Sequence, residues 1–171
     1  MAIAVVAFGT IAHAATVNWS VAGVYKPETT TAGAGYAVYL FQATEGLTAS
    51  SIASAVEAGN FASVASSALS SGTTLASGAF MKTGLGSYSG TTDAPTSVDF
   101  ITIVFDAAAY ADAENYAMGS TTLTFTSATG AKTAAFTNFS TNNSWQAVPE
   151  PTSGLLMLVG LAGLALRRRR A

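Results

Sequence analysis

Few residues in this chain could do chemistry. Asp99, Asp106, Asp112 and Glu114 form its only acidic cluster, and converging carboxylates are what a calcium ion or a glycosidic bond would use. Asp106 is expected to end a strand, with Asp112 and Glu114 in the loop that follows. The Asp112-Ala113-Glu114 spacing lacks the glycine and the ligand density of a calcium loop. No pair of carboxylates is marked as acid and nucleophile, and no aromatic platform flanks one. The reading is therefore no catalytic residue, no metal and no cofactor. Composition excludes more: with no Cys there is no disulfide framework, cysteine-ligated zinc, iron–sulfur cluster or thiolate nucleophile. The only histidine, His13, lies in a segment expected to be removed.

Tyr36, Tyr39 and Phe41 would stack on sugar rings if they were exposed in a row, although aromatic residues in a strand belong more often to a core. The run from Gly84 to Gly90 is one residue too long for a dinucleotide glycine pattern and lacks the Lys-Ser/Thr of a phosphate loop. Asn18, Asn138 and Asn142 each begin a glycosylation sequon, which a chain this rich in Asn, Ser and Thr produces by chance. Between Ala15 and Val148, three lysines and eight carboxylates leave five negative charges. That balance repels phosphate backbones and excludes nucleic acid as a partner.

The elements that must position these groups are mostly strands. Thr16 to Val24 alternates, with Val17, Trp19 and Val21 on one side and Thr16, Asn18 and Ser20 on the other. Tyr36 to Phe41 is apolar on both faces and reads as a central strand. Thr48 to Ala58 changes period and predicts the one helical insert, with Thr48 as N-cap, Ile52, Ala55 and Val56 on one face, and Gly59 as the stop. Phe61–Leu69 and Thr73–Met81 are expected as strands around a Ser70-Ser71-Gly72 turn. Gly84 to Thr92 reads as a loop closed by Asp93-Ala94-Pro95. Val98 to Phe105 is the most hydrophobic strand of the body and is expected mid-sheet. Tyr116–Met118 is a short strand, Thr121–Thr126 turns Leu123 and Phe125 inward, and Lys132–Phe139 is the last strand. These elements predict an all-β body, an antiparallel β-sandwich-like domain, over residues 15–141. An Asn-rich linker, 142–148, follows.

The two ends are addresses. Residues 1–14 are an apolar run closing on Ala12-His13-Ala14, the pattern of a signal peptide cleaved between Ala14 and Ala15. Its charged n-region is missing, which reads as a start placed too far downstream or a truncated sequence. At the other end Pro149, Glu150 and Pro151 precede the uncharged run Gly154–Leu166 and then Arg167, Arg168, Arg169 and Arg170. As a helix those 13 residues would span about 20 Å, against a hydrocarbon core of roughly 30 Å. Such a segment halts secretion, with the arginines left on the cytoplasmic side as the membrane stop.

Pro-Glu-Pro, a short apolar helix and a terminal arginine cluster together resemble the PEP-CTERM sorting signal, here over residues 149–171. The resemblance implies recognition by an exosortase, an integral-membrane protease, and cleavage near Pro149-Glu150-Pro151. These would be substrate residues: the prolines forbid helix and keep the tripeptide extended. It also implies passage through the inner membrane with the body outside, and delivery to the cell surface or extracellular matrix. The expected function is that of a non-enzymatic structural or adhesive component in contact with extracellular polysaccharide. A carbohydrate-binding module is the alternative. A surface mostly of Ser, Thr, Ala and Gly with few charges suits either.

Overall fold

A computed structural model describes residues 14–89, 95–126, 130–137, 139 and 145–149. The strands are β1 (Ala15–Val21), β2 (Ala37–Gln42), β3 (Ser70–Thr73), β4 (Phe80–Tyr88), β5 (Thr96–Phe105), β6 (Asn115–Phe125), β7 (Lys132–Phe136) and β8 (Trp145–Ala147). Two helices, α1 (Ala49–Glu57) and α2 (Phe61–Ala65), follow β2, and a 3-10 turn at Tyr110–Asp112 joins β5 to β6. The strands make two sheets, ordered β4-β1-β7 and β3-β2-β5-β6-β8.

The alternation seen in the sequence decides how the layers stack. Along β5, Val98, Phe100 and Val104 join a cluster with Val38 and Leu40 of β2, Val17, Trp19 and Val21 of β1, and Phe136 of β7. That cluster is the seam between the two sheets. Residues of opposite parity (Ile101, Ile103 and Phe105 of β5, Ala37 and Phe41 of β2, Tyr116 of β6) form a second cluster with Ile52, Val56 and Phe61 from the helices. The five-stranded sheet is thus the middle of three layers, which is why β2 and β5 are apolar on both faces. The all-β reading holds, with β2 and β5 central as expected.

Helix α1 starts and stops where its residues say it should. Thr48 Oγ1 accepts the Ser51 amide at 3.2 Å and Ser51 Oγ accepts the Thr48 amide at 2.8 Å, a reciprocal cap for two otherwise orphaned donors. Gly59, at φ 67°, takes the left-handed turn that ends it.

Several expectations fail locally. Phe61–Leu69 begins as helix α2, not a strand, because Phe61, Val64 and Ala65 share one face and cover the sheet. Ser70-Ser71-Gly72 is strand rather than turn: it pairs antiparallel with Val38–Leu40 at the sheet edge. Gly72 fits there because a side chain on it would strike the Phe80 ring. The turn falls later, at 74–79, where Gly78 has φ 70° and any Cβ would strike the Val24 carbonyl oxygen. The Gly84–Thr92 loop is strand β4 as far as Tyr88, with Gly86 and Gly84 at positive φ at the register shifts between Thr16 and Val17 and between Val17 and Trp19. Tyr116–Met118 and Thr121–Thr126 are one continuous strand, β6. Phe125 is fully buried and Leu123 packs against the inter-sheet cluster, while Thr122 and Thr124 face out, as the alternation predicted. The body is not wholly antiparallel, since β7 runs parallel to β1 from Val17↔Lys132 to Val21↔Phe136. Part of the expected linker is β8, paired with Asn115–Ala117.

Candidate functional site

The acidic cluster does not converge. Asp99 lies within β5 and Asp106 just past its end, seven residues on and about 23 Å away at strand rise. Asp106 is spent on structure: Oδ1 accepts the amides of Glu114 and Asn115, both at 2.9 Å, and Oδ2 accepts Asn115 Nδ2 at 2.8 Å. These bonds close the β5–β6 connection and satisfy the carboxylate at once. Asp112 and Glu114 are exposed in that connection. Among the described residues, no three His, Asp or Glu side chains gather as a metal site.

The aromatic row is not a platform. Tyr36 turns to the inter-sheet cluster, while Tyr39 and Phe41 turn to the helix-side cluster, since a three-residue step changes sheet face. Phe41 is fully buried, and Tyr39 packs edge-on against Phe61 at 5.1 Å. Burial pushes the Tyr36 phenol above its ordinary pKa, and the Asp106 charge adds to that.

Two concave features stand out among the described residues. The larger is an open groove of about 490 Å³ on the helix-side face of the middle sheet, beside the N-terminal cap of α1. Its walls include Thr48, Ser120, Thr121, Thr122 and Asp99, and Ile101 lies in its floor. Asp99 accepts a short hydrogen bond from Thr122 Oγ1. A single carboxylate among hydroxyls over an apolar floor can orient a small polyhydroxyl ligand but offers no acid–base pair. The sequence did not single out this groove, because its residues come from the α1 cap and from two strands whose pairing must first be known. The period-2 signal on β5 and β6 does place Asp99 and Ile101, and Ser120 and Thr122, on one face once they are paired.

The smaller feature is a cleft of about 160 Å³ lined by Val56, Phe61, Phe105, Tyr110, Val148 and Pro149, among others. Here the body meets the tail. Val148 donates its amide to the Glu114 carbonyl at 2.8 Å and packs against the helix-side cluster. Pro149, the first residue of the expected sorting motif, is exposed at the mouth.

At the other end Ala14 is exposed and Ala15 opens β1, buried and paired with Tyr88, so the expected cleavage position coincides with the edge of the body. Residues 1–13, Glu150, Pro151, the run 154–166 and Arg167–Arg170 lie outside the described residues. Among the described residues no helix is long and apolar enough to cross a membrane.

No curated protein and no solved structure matches the chain. Residues 147–170 match the PEP-CTERM protein-sorting motif, so the tail that begins where β8 ends is the sorting signal of an exported protein processed by an exosortase.

Proposed function

We propose that this protein is a surface-sorted, non-enzymatic component of the extracellular matrix or cell envelope, with a structural or adhesive β body. The observation that carries this reading is the junction at residues 147–149, where the β body passes directly into the sorting signal. On this reading residues 1–14 are a leader removed before Ala15, and the run 154–166 with Arg167–Arg170 holds the chain in the inner membrane. Cleavage near Pro149-Glu150-Pro151 by the exosortase then frees the body. The small number of charged residues on the body suits contact with neutral glycans, which its net negative charge does not repel.

Intact-mass spectrometry on protein recovered from its host, with membranes and medium kept apart, tests this. The expected species outside the membrane begins at Ala15 and ends between Pro149 and Pro151. A chain that keeps Leu155 to Arg170 and is found only in membranes would leave a tail-anchored surface domain instead.

The groove around Asp99 favours a second reading, a carbohydrate-binding module. If glycans bind there, Asp99 accepts a charge-assisted hydrogen bond from a sugar hydroxyl, and Asp99→Asn should weaken binding tenfold or more. Titration of the body with oligosaccharides from the host matrix, followed by NMR shifts at Ser120–Thr122, measures it. Shifts elsewhere, or an unaffected affinity, would sink the assignment.

A further inference from the structure

We infer that strand β8 is a strap that holds the start of the sorting signal against the body, and that processing waits for the strap to open. The inference rests on the reading of the tail as an exosortase substrate. Four consecutive residues are engaged. Trp145 sits opposite Ala117 and packs edge-on against Tyr36, with ring centroids 5.9 Å apart and planes at 87°. Gln146 and Ala147 pair with Tyr116 and Asn115. Val148 extends the ladder through its 2.8 Å bond to Glu114. Pro149 follows at the exposed mouth of a cleft walled by Phe61, Phe105 and Tyr110.

The spacing leaves a protease little slack. Four residues, Glu150 to Ser153, separate Pro149 from the apolar run that begins at Gly154. Even fully extended, the five Cα steps from Pro149 to Gly154 reach at most about 18 Å. A protease must take several residues on each side of the scissile bond as an extended strand, and residues 145–148 already have β6 as their partner. Opening β8 frees those residues and nearly doubles the reach.

The strap is built to open. It is a three-residue edge strand, at the low end of local stability. The Trp145 indole N–H is buried without an acceptor, so the closed state leaves that donor unsatisfied. A body that has not formed its β5–β6 hairpin has no site for the strap, which links folding of the body to exposure of the signal.

A cross-strand disulfide tests the gate. Asn115 and Ala147 face each other next to the hydrogen-bonded Glu114–Val148 pair, so theirs is a non-hydrogen-bonded pair with Cα atoms about 4.5 Å apart. The chain has no cysteine of its own to compete. In the host, full-length chain carrying Asn115→Cys and Ala147→Cys should be processed at least tenfold more slowly than chain carrying Asn115→Cys alone, with dithiothreitol restoring the rate. Trp145→Ala, which loosens the strap, should speed processing severalfold. A locked chain cut as fast as the unlocked one overturns the gate and leaves the sorting reading intact. A wild-type chain never cut in its tail overturns both. Amide exchange at Val148 in the purified full-length chain reads the strap without any protease: protection supports the closed strap, and exchange at the rate of a free peptide overturns it.

Discussion

Phe61→Ala is expected to destabilise the body by about 3–5 kcal/mol, a large share of the 5–15 kcal/mol that a domain of this size has in total. Phe61 is 3% exposed and stands at the centre of the helix-side cluster. Its ring lies 4.8 Å from Phe105, 5.0 Å from Tyr110 and 5.1 Å from Tyr39, measured between centroids and mostly edge-on. Truncation removes the apolar area of one ring and also leaves the others facing a void. Helix α2 has only five residues and no side-chain cap, so it holds its place through this ring rather than through its own hydrogen bonds. The neighbours cannot collapse inward, because Tyr39 is fixed by the β2–β5 ladder and Phe105 by the β5–β6 ladder. Urea unfolding of the body measures the loss, with Leu75→Ala as control: Leu75 is 66% exposed and its truncation should cost under about 0.5 kcal/mol. A loss below 1 kcal/mol for Phe61→Ala would mean that α2 does not seal the middle sheet.

The same residue shows where the sequence was readable and where it was not. Strand β1 has a polar–apolar alternation long enough to state both its period and its buried face. β2 and β5 carry apolar residues on both parities, and that alone required layers above and below. Helix α1 had its cap, its face and its stop in sequence. α2 also had a helical face in Phe61, Val64 and Ala65, but five residues are fewer than two turns, and over that length a strand fits as well. β3 was hidden by composition: Ser70-Ser71-Gly72 has the residues of a turn, and it is a strand because the β2 edge and the Phe80 ring accept a glycine there. β8 is three residues long beside an Asn-rich stretch, too short for any period to show. The sorting motif was legible because it is a contiguous pattern. The groove and the Pro149 cleft were not, because each is assembled from residues far apart in sequence whose meeting depends on register.

Alkali is expected to unfold the body, beginning above about pH 10. Four tyrosines, Tyr36, Tyr39, Tyr88 and Tyr116, have phenol pKa values raised in the fold, each chiefly by burial. For Tyr116 the Glu57 carboxylate adds to the shift, both through its charge and by accepting the phenol hydrogen bond at 3.3 Å. A raised folded pKa means that the fold keeps a proton which the unfolded chain has lost. The contribution of such a group is complete below the unfolded value, near 10, and falls away as pH rises through the folded value. Each such tyrosine steepens the decline by up to about 1.4 kcal/mol per pH unit within that window. Tyr116 is the sharpest place to look, because it is 1% exposed yet its hydroxyl reaches the exposed Glu57. Tyr116→Phe keeps the ring in the helix-side cluster and removes the titrating group. Its urea-unfolding free energy should run below wild type at pH 7 by about 1 kcal/mol for the lost hydrogen bond. The gap should then narrow as pH passes 10, because only in the wild type does the unfolded chain ionise a phenol that the fold keeps protonated. Parallel curves for the two proteins from pH 8 to 12 would show that Tyr116 titrates alike in the folded and unfolded chains, and would remove Tyr116 as a contributor to alkaline instability.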